Sequence, residues 1–181
     1  ITPPDADRFW LANARVPLTF LDATIQHRDV IAALAASPWS EKLVAADIAI
    51  EAGKIAAIAP LNTAPADQPS VDVAQGLVFP CFVELHTHLD KGQTWQRQAN
   101  LDGTFQGALK AVTADAVNWT ADDLYRRMAF GLKCAYAHGT QAIRTHCDAF
   151  DDMAKTVFEV ATQLQQDWET RITLQTACQV S

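Results

Sequence analysis

The chain has 181 residues, 49% hydrophobic and 19% charged, with a formal net charge of −7. That length holds one sizeable core, or one small domain and part of another, in an ordinary globular composition. The acidic balance argues against a binder of nucleic-acid backbone, which carries a basic stripe. No stretch approaches the roughly 20 apolar residues that a membrane-spanning helix needs.

Cys81, Cys134, Cys147 and Cys178 form no CxxC pair. Their wide spacing predicts reduced, mostly buried thiols and a cytoplasmic protein. No basic segment followed by an apolar one opens the chain, so no signal peptide is expected.

Residues 1–80 read as β. Phe9 to Val16 is a strand, and Ile48 to Ile58 is a hairpin turning at Gly53. Val71 to Val78 is a further strand after a Pro- and Asp-rich loop over 60–69, and 29–36 is either a helical turn or a loop. Past Pro80 apolar strands alternate with helices, the pattern of parallel βα units. Phe82 to Leu89 is the first such strand. After a long connection over 92–118, Thr120 caps a helix carrying Leu124, Met128, Leu132 and Ala135 on one stripe and stopping at Gly139. Gln141 to Cys147 is a second strand, about 152–168 a second helix, and Arg171 to Cys178 a third strand. Three parallel strands close nothing and leave exposed edges, so a larger barrel or a partner is required.

The sharpest chemical feature is Phe82-Val-Glu-Leu-His-Thr-His-Leu-Asp90. Strict alternation puts Phe82, Glu84, His86 and His88 on one face of the strand. At a rise of ~3.3 Å per residue the two imidazoles lie about 7 Å apart and can converge on one metal ion. The end of a barrel strand is where βα-barrel enzymes keep their sites. The alternative reading is two solvated histidines at a strand end.

The stretch Gly76 to Lys91 (GLVFPCFVELHTHLDK) resembles the first-strand motif of the amidohydrolase superfamily, with Cys81 where glycine is usual. His88-Leu-Asp-Lys91, Asn100-Leu-Asp-Gly-Thr-Phe-Gln-Gly107 and Gly139-Thr-x-x-Ile-Arg-Thr-His146-x-Asp148 resemble its cytosine-deaminase branch. The resemblance implies an α/β fold. Its parts are a small N-terminal β-sandwich over 1–80 and the first three units of a (β/α)8 barrel over 81–181. It implies that His86 and His88 bind one divalent metal ion, zinc or iron. The family's other ligands, a fifth-strand histidine and an eighth-strand aspartate, would lie beyond Ser181, as would its catalytic proton carriers. The 181 residues alone are therefore expected to be inactive, the rest of the barrel being required.

The implied reaction is hydrolytic deamination of an amino-substituted N-heterocycle such as cytosine, by hydroxide that the metal makes available near neutral pH. The alternatives are a pterin, a triazine or a cyclic amide as substrate, or a scaffold holding no metal. The implied partner is a small heterocycle rather than nucleic acid or membrane, and a homo-oligomer is compatible with the reading.

Further site residues are open between two roles. His146 ends the second strand and reads either as a pocket residue or as a strand-end histidine bonded to backbone. Asp148 orients a ligand or caps the next helix. Arg144, on the His146 face, needs a carboxylate, and Glu84 is the expected one. Gln179 either resembles the glutamine that cytosine deaminases use after the third strand to read the pyrimidine or stands out of its register, since Leu174-Gln-Thr-Ala-Cys-Gln179 is shorter than the family pattern. Trp95, Phe105 and Trp119 either cover a flat heterocycle or pack on the barrel shoulder.

Overall fold

The computed structural model describes residues 2–21, 43–148 and 153–179. The reading of 29–36 lies outside them. The chain divides into two compact units, Ile1–Pro80 and Cys81–Ser181.

In the first unit, β1 (Arg8–Pro17), β2 (Leu43–Glu51), β3 (Lys54–Ala59) and β4 (Ser70–Asp72) form one sheet in the order β3-β2-β1-β4. The first two pairings in that order are antiparallel, and β1 pairs with β4 in parallel. The hairpin turns on Ala52 and Gly53, at φ 48 and 72. Both central positions of a type I′ turn need positive φ, which glycine adopts freely and alanine at a cost. Ala14, Val16, Leu21, Val44, Ile48 and Val73 form its core.

The strand expected over 71–78 is shorter. It ends at Asp72, because Ala74 and Gln75 take φ 51 and 60 and break the extended run. β1 carries an irregularity between Leu11 and Ala14, with Asn13 at φ 58. The Asn13 amide there donates to Asp47 Oδ1 at 2.9 Å, and the other Asp47 oxygen accepts the amides of Thr63 (2.9 Å) and Ala64 (3.1 Å). Asp47 is buried, and three amides satisfy it.

In the second unit, β5 (Phe82–Thr87), β6 (Thr140–Asp148) and β7 (Thr173–Gln179) form a parallel sheet in that order. The helices α2 (Ala121–Ala137) and α3 (Met153–Asp167) cover one face. There Ile143, Cys147 and Leu174 meet Leu124, Met128, Leu132 and Leu164. Thr120 caps α2 as its sequence predicts, its hydroxyl accepting the Asp123 amide at 3.2 Å. The turn after it runs through Gly139 at φ 85, where a side chain would be strained.

Sequence reading missed α1 (Phe105–Asp115), which lies inside the long connection. Its signal was Thr104, whose hydroxyl accepts the Gly107 amide at 2.9 Å. The helix shows only a weak apolar stripe, and Phe105 is 73% exposed, so periodicity concealed it. The thiols also differ from expectation: only Cys147 is buried, Cys134 is half-buried, and Cys81 and Cys178 are exposed. Cys81 precedes an edge strand, and Cys178 lies near the end of another, where little chain covers them. No helix among the described residues is long and apolar enough to cross a membrane.

Candidate metal centre

The face of the β5-β6-β7 sheet that turns away from the helices carries the histidines. Alternation along β6 sends Ile143, Thr145 and Cys147 to the helix side and Ala142, Arg144 and His146 to the other. His86, His88 and His146 come together there. The His86 and His88 ring centroids are 5.3 Å apart, and His146 stacks on His86 at 4.0 Å with 27° between planes. Burial pushes the His146 imidazole to a lower pKa, and His86, His88 and Arg144 add to the effect. Its Nδ1 has no hydrogen-bond partner among the described residues.

His88 is fixed by its neighbour strand. Its Nδ1 lies 2.7 Å from the His146 backbone oxygen. A carbonyl only accepts, so Nδ1 carries the proton and the neutral ring keeps its lone pair on Nε2. Backbone carbonyls orient metal-binding histidines in this way. The residue that follows is held as well, the Leu89 amide donating to the buried Thr145 hydroxyl at 3.0 Å. Arg127 on α2 then grips the turn, donating to the carbonyls of Asp90 and, at 3.0 Å, Gly92.

A second layer supports Arg127. Its Nε donates to Asp123 at 2.9 Å, and its guanidinium lies 5.2 Å over the Trp119 ring. Arg97 bridges Asp123 (2.6 Å) and the buried Asp115 (2.8 Å), and the Trp119 indole donates to Asp115 at 2.8 Å. Burial pushes the Asp115 and Asp123 carboxyls up. The Arg97 hydrogen bonds, with others from Trp119 and Arg127, outweigh it and hold both below the usual range. Nothing in the sequence marks Arg127 for this role except its place beside the buried stripe of α2.

The expected pair of Arg144 and Glu84 is not formed. Arg144 donates to Gln175 Oε1 at 3.1 and 2.8 Å, while Glu84 Oε1 accepts the His86 amide at 2.9 Å. The reason is a break in register. Glu84 pairs with Ile143 and Thr87 with Thr145, leaving Leu85 and His86 opposite Arg144 alone. Glu84 thus shares the helix side with Ile143, bordering a hollow lined by Gly131, Cys134 and Ala135.

Of the other predicted residues, Gln179 lies opposite Asp148 in the strand register, beyond the His146–Ala177 pair. Trp119 packs in the core, whereas Trp95 is 62% exposed. Among the described residues no group of three or more His, Cys, Asp or Glu side chains is arranged to hold a metal ion. The two histidines nonetheless fit as part of one, because the His88 tautomer leaves the outer nitrogen available.

No protein-family model matches the chain. It is 44% identical over 177 residues to a pterin deaminase of Rhizobium rhizogenes, covering 97% of this chain and 38% of the relative. It is 33% identical over 95 residues to the N-isopropylammelide isopropyl amidohydrolase of a Pseudomonas species, covering 48% of this chain and 22% of the relative. Over nearly its whole length the chain is thus similar to a heterocycle deaminase, and over half of it to an amidohydrolase.

Solved structures agree on the amidohydrolase fold. A 5-methylcytosine deaminase from Klebsiella pneumoniae liganded with 5-fluorocytosine superposes with a TM-score of 0.64 at 22% identity, over 93% of this chain and 35% of that one. An N-isopropylammelide isopropylaminohydrolase from Burkholderia multivorans gives 0.62 at 22% identity, over 94% and 37%. The chain thus spans less than two fifths of these relatives.

Proposed function

We propose that this chain is part of a metal-dependent hydrolase that deaminates an amino-substituted N-heterocycle. The observation that carries the reading is the His88 ring, whose Nδ1 is tied to the His146 carbonyl beside His86. That bond presents a neutral imidazole nitrogen at the strand end where barrel enzymes work. Residues 1–80 would form part of a β-sandwich and 81–181 the first units of a (β/α)8 barrel. Further ligands and the proton carriers would come from other strands of the barrel.

His86 and His88 would hold one zinc or iron ion. Such a metal supplies Lewis acidity and a nucleophilic water near neutral pH. Overall, water replaces the ring amino group, giving a carbonyl and ammonia. His146 is assigned to the substrate pocket, where its Nδ1, without a hydrogen-bond partner among the described residues, would meet a polar edge of the heterocycle. Gln179 is assigned there as well, two residues past the Ala177 that pairs with His146. A pterin is favoured over cytosine, because the relative at 44% identity is a pterin deaminase.

The test is ammonia release by the full-length protein from a panel of pterin, cytosine, guanine and triazine substrates, with metal content measured on the same sample. About one metal per chain and turnover of a pterin are expected. His88→Ala should remove the metal and lower kcat by at least about 10³-fold, since the missing ligand serves every step. A full-length protein that folds, binds no zinc or iron and deaminates nothing would overturn the reading in favour of a scaffold.

A further inference from the structure

Glu84 precedes His86 by two residues, yet it lies on the opposite side of the sheet. An unbroken strand would put both on one face. Two residues, Leu85 and His86, instead stand against Arg144 alone, so Glu84 is turned toward the helices while His86 stays beside His88 and His146. Bulges are rare in parallel pairs, and they re-aim side chains next to active sites. They also loosen the ladder, so the amides within them need other acceptors. The Glu84 carboxylate is such an acceptor, taking the His86 amide at 2.9 Å in a charge-assisted bond.

We infer that Glu84 is a positioning residue for the metal pair, its carboxylate fixing the bulge that holds His86 in line with His88. This rests on the metal-centre reading above. The role belongs to the acceptor oxygen rather than to the negative charge, because the carboxylate takes the backbone amide of His86. Without that acceptor the strand can relax toward regular alternation, and His86 loses its angle to the ion. Residues that orient metal ligands typically change affinity by 10–100-fold when removed.

The experiment is a zinc titration of the folded full-length protein against a chromophoric chelator, well below the unfolding temperature. Glu84→Ala should weaken zinc binding about 10–100-fold. Glu84→Gln keeps a carbonyl oxygen at the same reach and should stay within about threefold of wild type. Wild-type affinity in Glu84→Ala, with or without a lower melting temperature of the metal-free form, would overturn the inference and leave the metal reading intact. A wild-type protein that binds no zinc overturns both. If Glu84→Ala does not fold, Glu84→Met replaces it: the side chain keeps its length and loses the acceptor oxygen. Zinc binding weaker in Glu84→Met than in Glu84→Gln supports the inference, and equal binding or the reverse order overturns it.

Discussion

Single side chains in this protein hold backbone in shapes that regular strands do not take. Asp47 satisfies three amides from two separated segments, and it does so while buried. Asp47→Ala would strand those donors, at about 1–3 kcal/mol for a lost buried partner. Chemical denaturation should show that loss in the first unit. The Arg97 bridge works in the same way in the second unit. Its two carboxylates are held below the usual range, so their contribution to stability is complete above an unfolded pKa of about 3.9. It is lost as the pH falls through their lower folded values. Unfolding curves at pH 7 and pH 3 should therefore differ less in Arg97→Ala than in wild type. At pH 7 that variant should already be weaker by about 1–3 kcal/mol, less than for a fully buried pair, because Arg97 is partly exposed.

Among the elements, α2 links the packed core to the turn after the histidine pair. Its buried stripe of Leu124, Met128 and Leu132 anchors it to β6, and Arg127 reaches from the same helix to the turn after His88. Leu132→Ala should cost about 2–5 kcal/mol, the range for emptying a close-packed leucine site. At Gly131 an added Cβ would stand 2.8 Å from the Leu89 Cδ2 methyl, the far end of a flexible side chain. Gly131→Ala should therefore be absorbed by a rotation of that side chain. Zinc affinity and helix content by circular dichroism near those of wild type are the expected result. The α2 cap and its apolar stripe were legible in the sequence because they are local and periodic. Its grip on the turn was not, since Arg127 sits 37 residues from Asp90 and no spacing rule connects them.

For the whole molecule, the decisive feature is a sheet that stops at an edge. β5 pairs on one side only among the described residues, and Phe82, Val83 and Leu85 along it are more than half exposed. Exposed apolar edge strands template association. Residues 1–181 expressed alone should self-associate and bind a hydrophobic dye, as light scattering and dye fluorescence would show. The full-length protein should do so far less. The chain's share of its relatives, 38% of the pterin deaminase, fits a sheet that further strands would complete.

Local pattern in the sequence was enough to determine the three strands and the helices α2 and α3 after Pro80, the cap and stop of α2, the hairpin at Gly53 and the place of His86 and His88 at one strand end. Each of these depends on residues within a few positions of one another, where propensity and periodicity act directly. The tertiary structure decided the rest. It turned Glu84 away from Arg144 by a one-residue break in register, gave His146 its place against His86, and chose the His88 tautomer through a carbonyl 58 residues away. Register and tautomer are set by which strand lies alongside, and that is a property of the assembled sheet, not of any one segment.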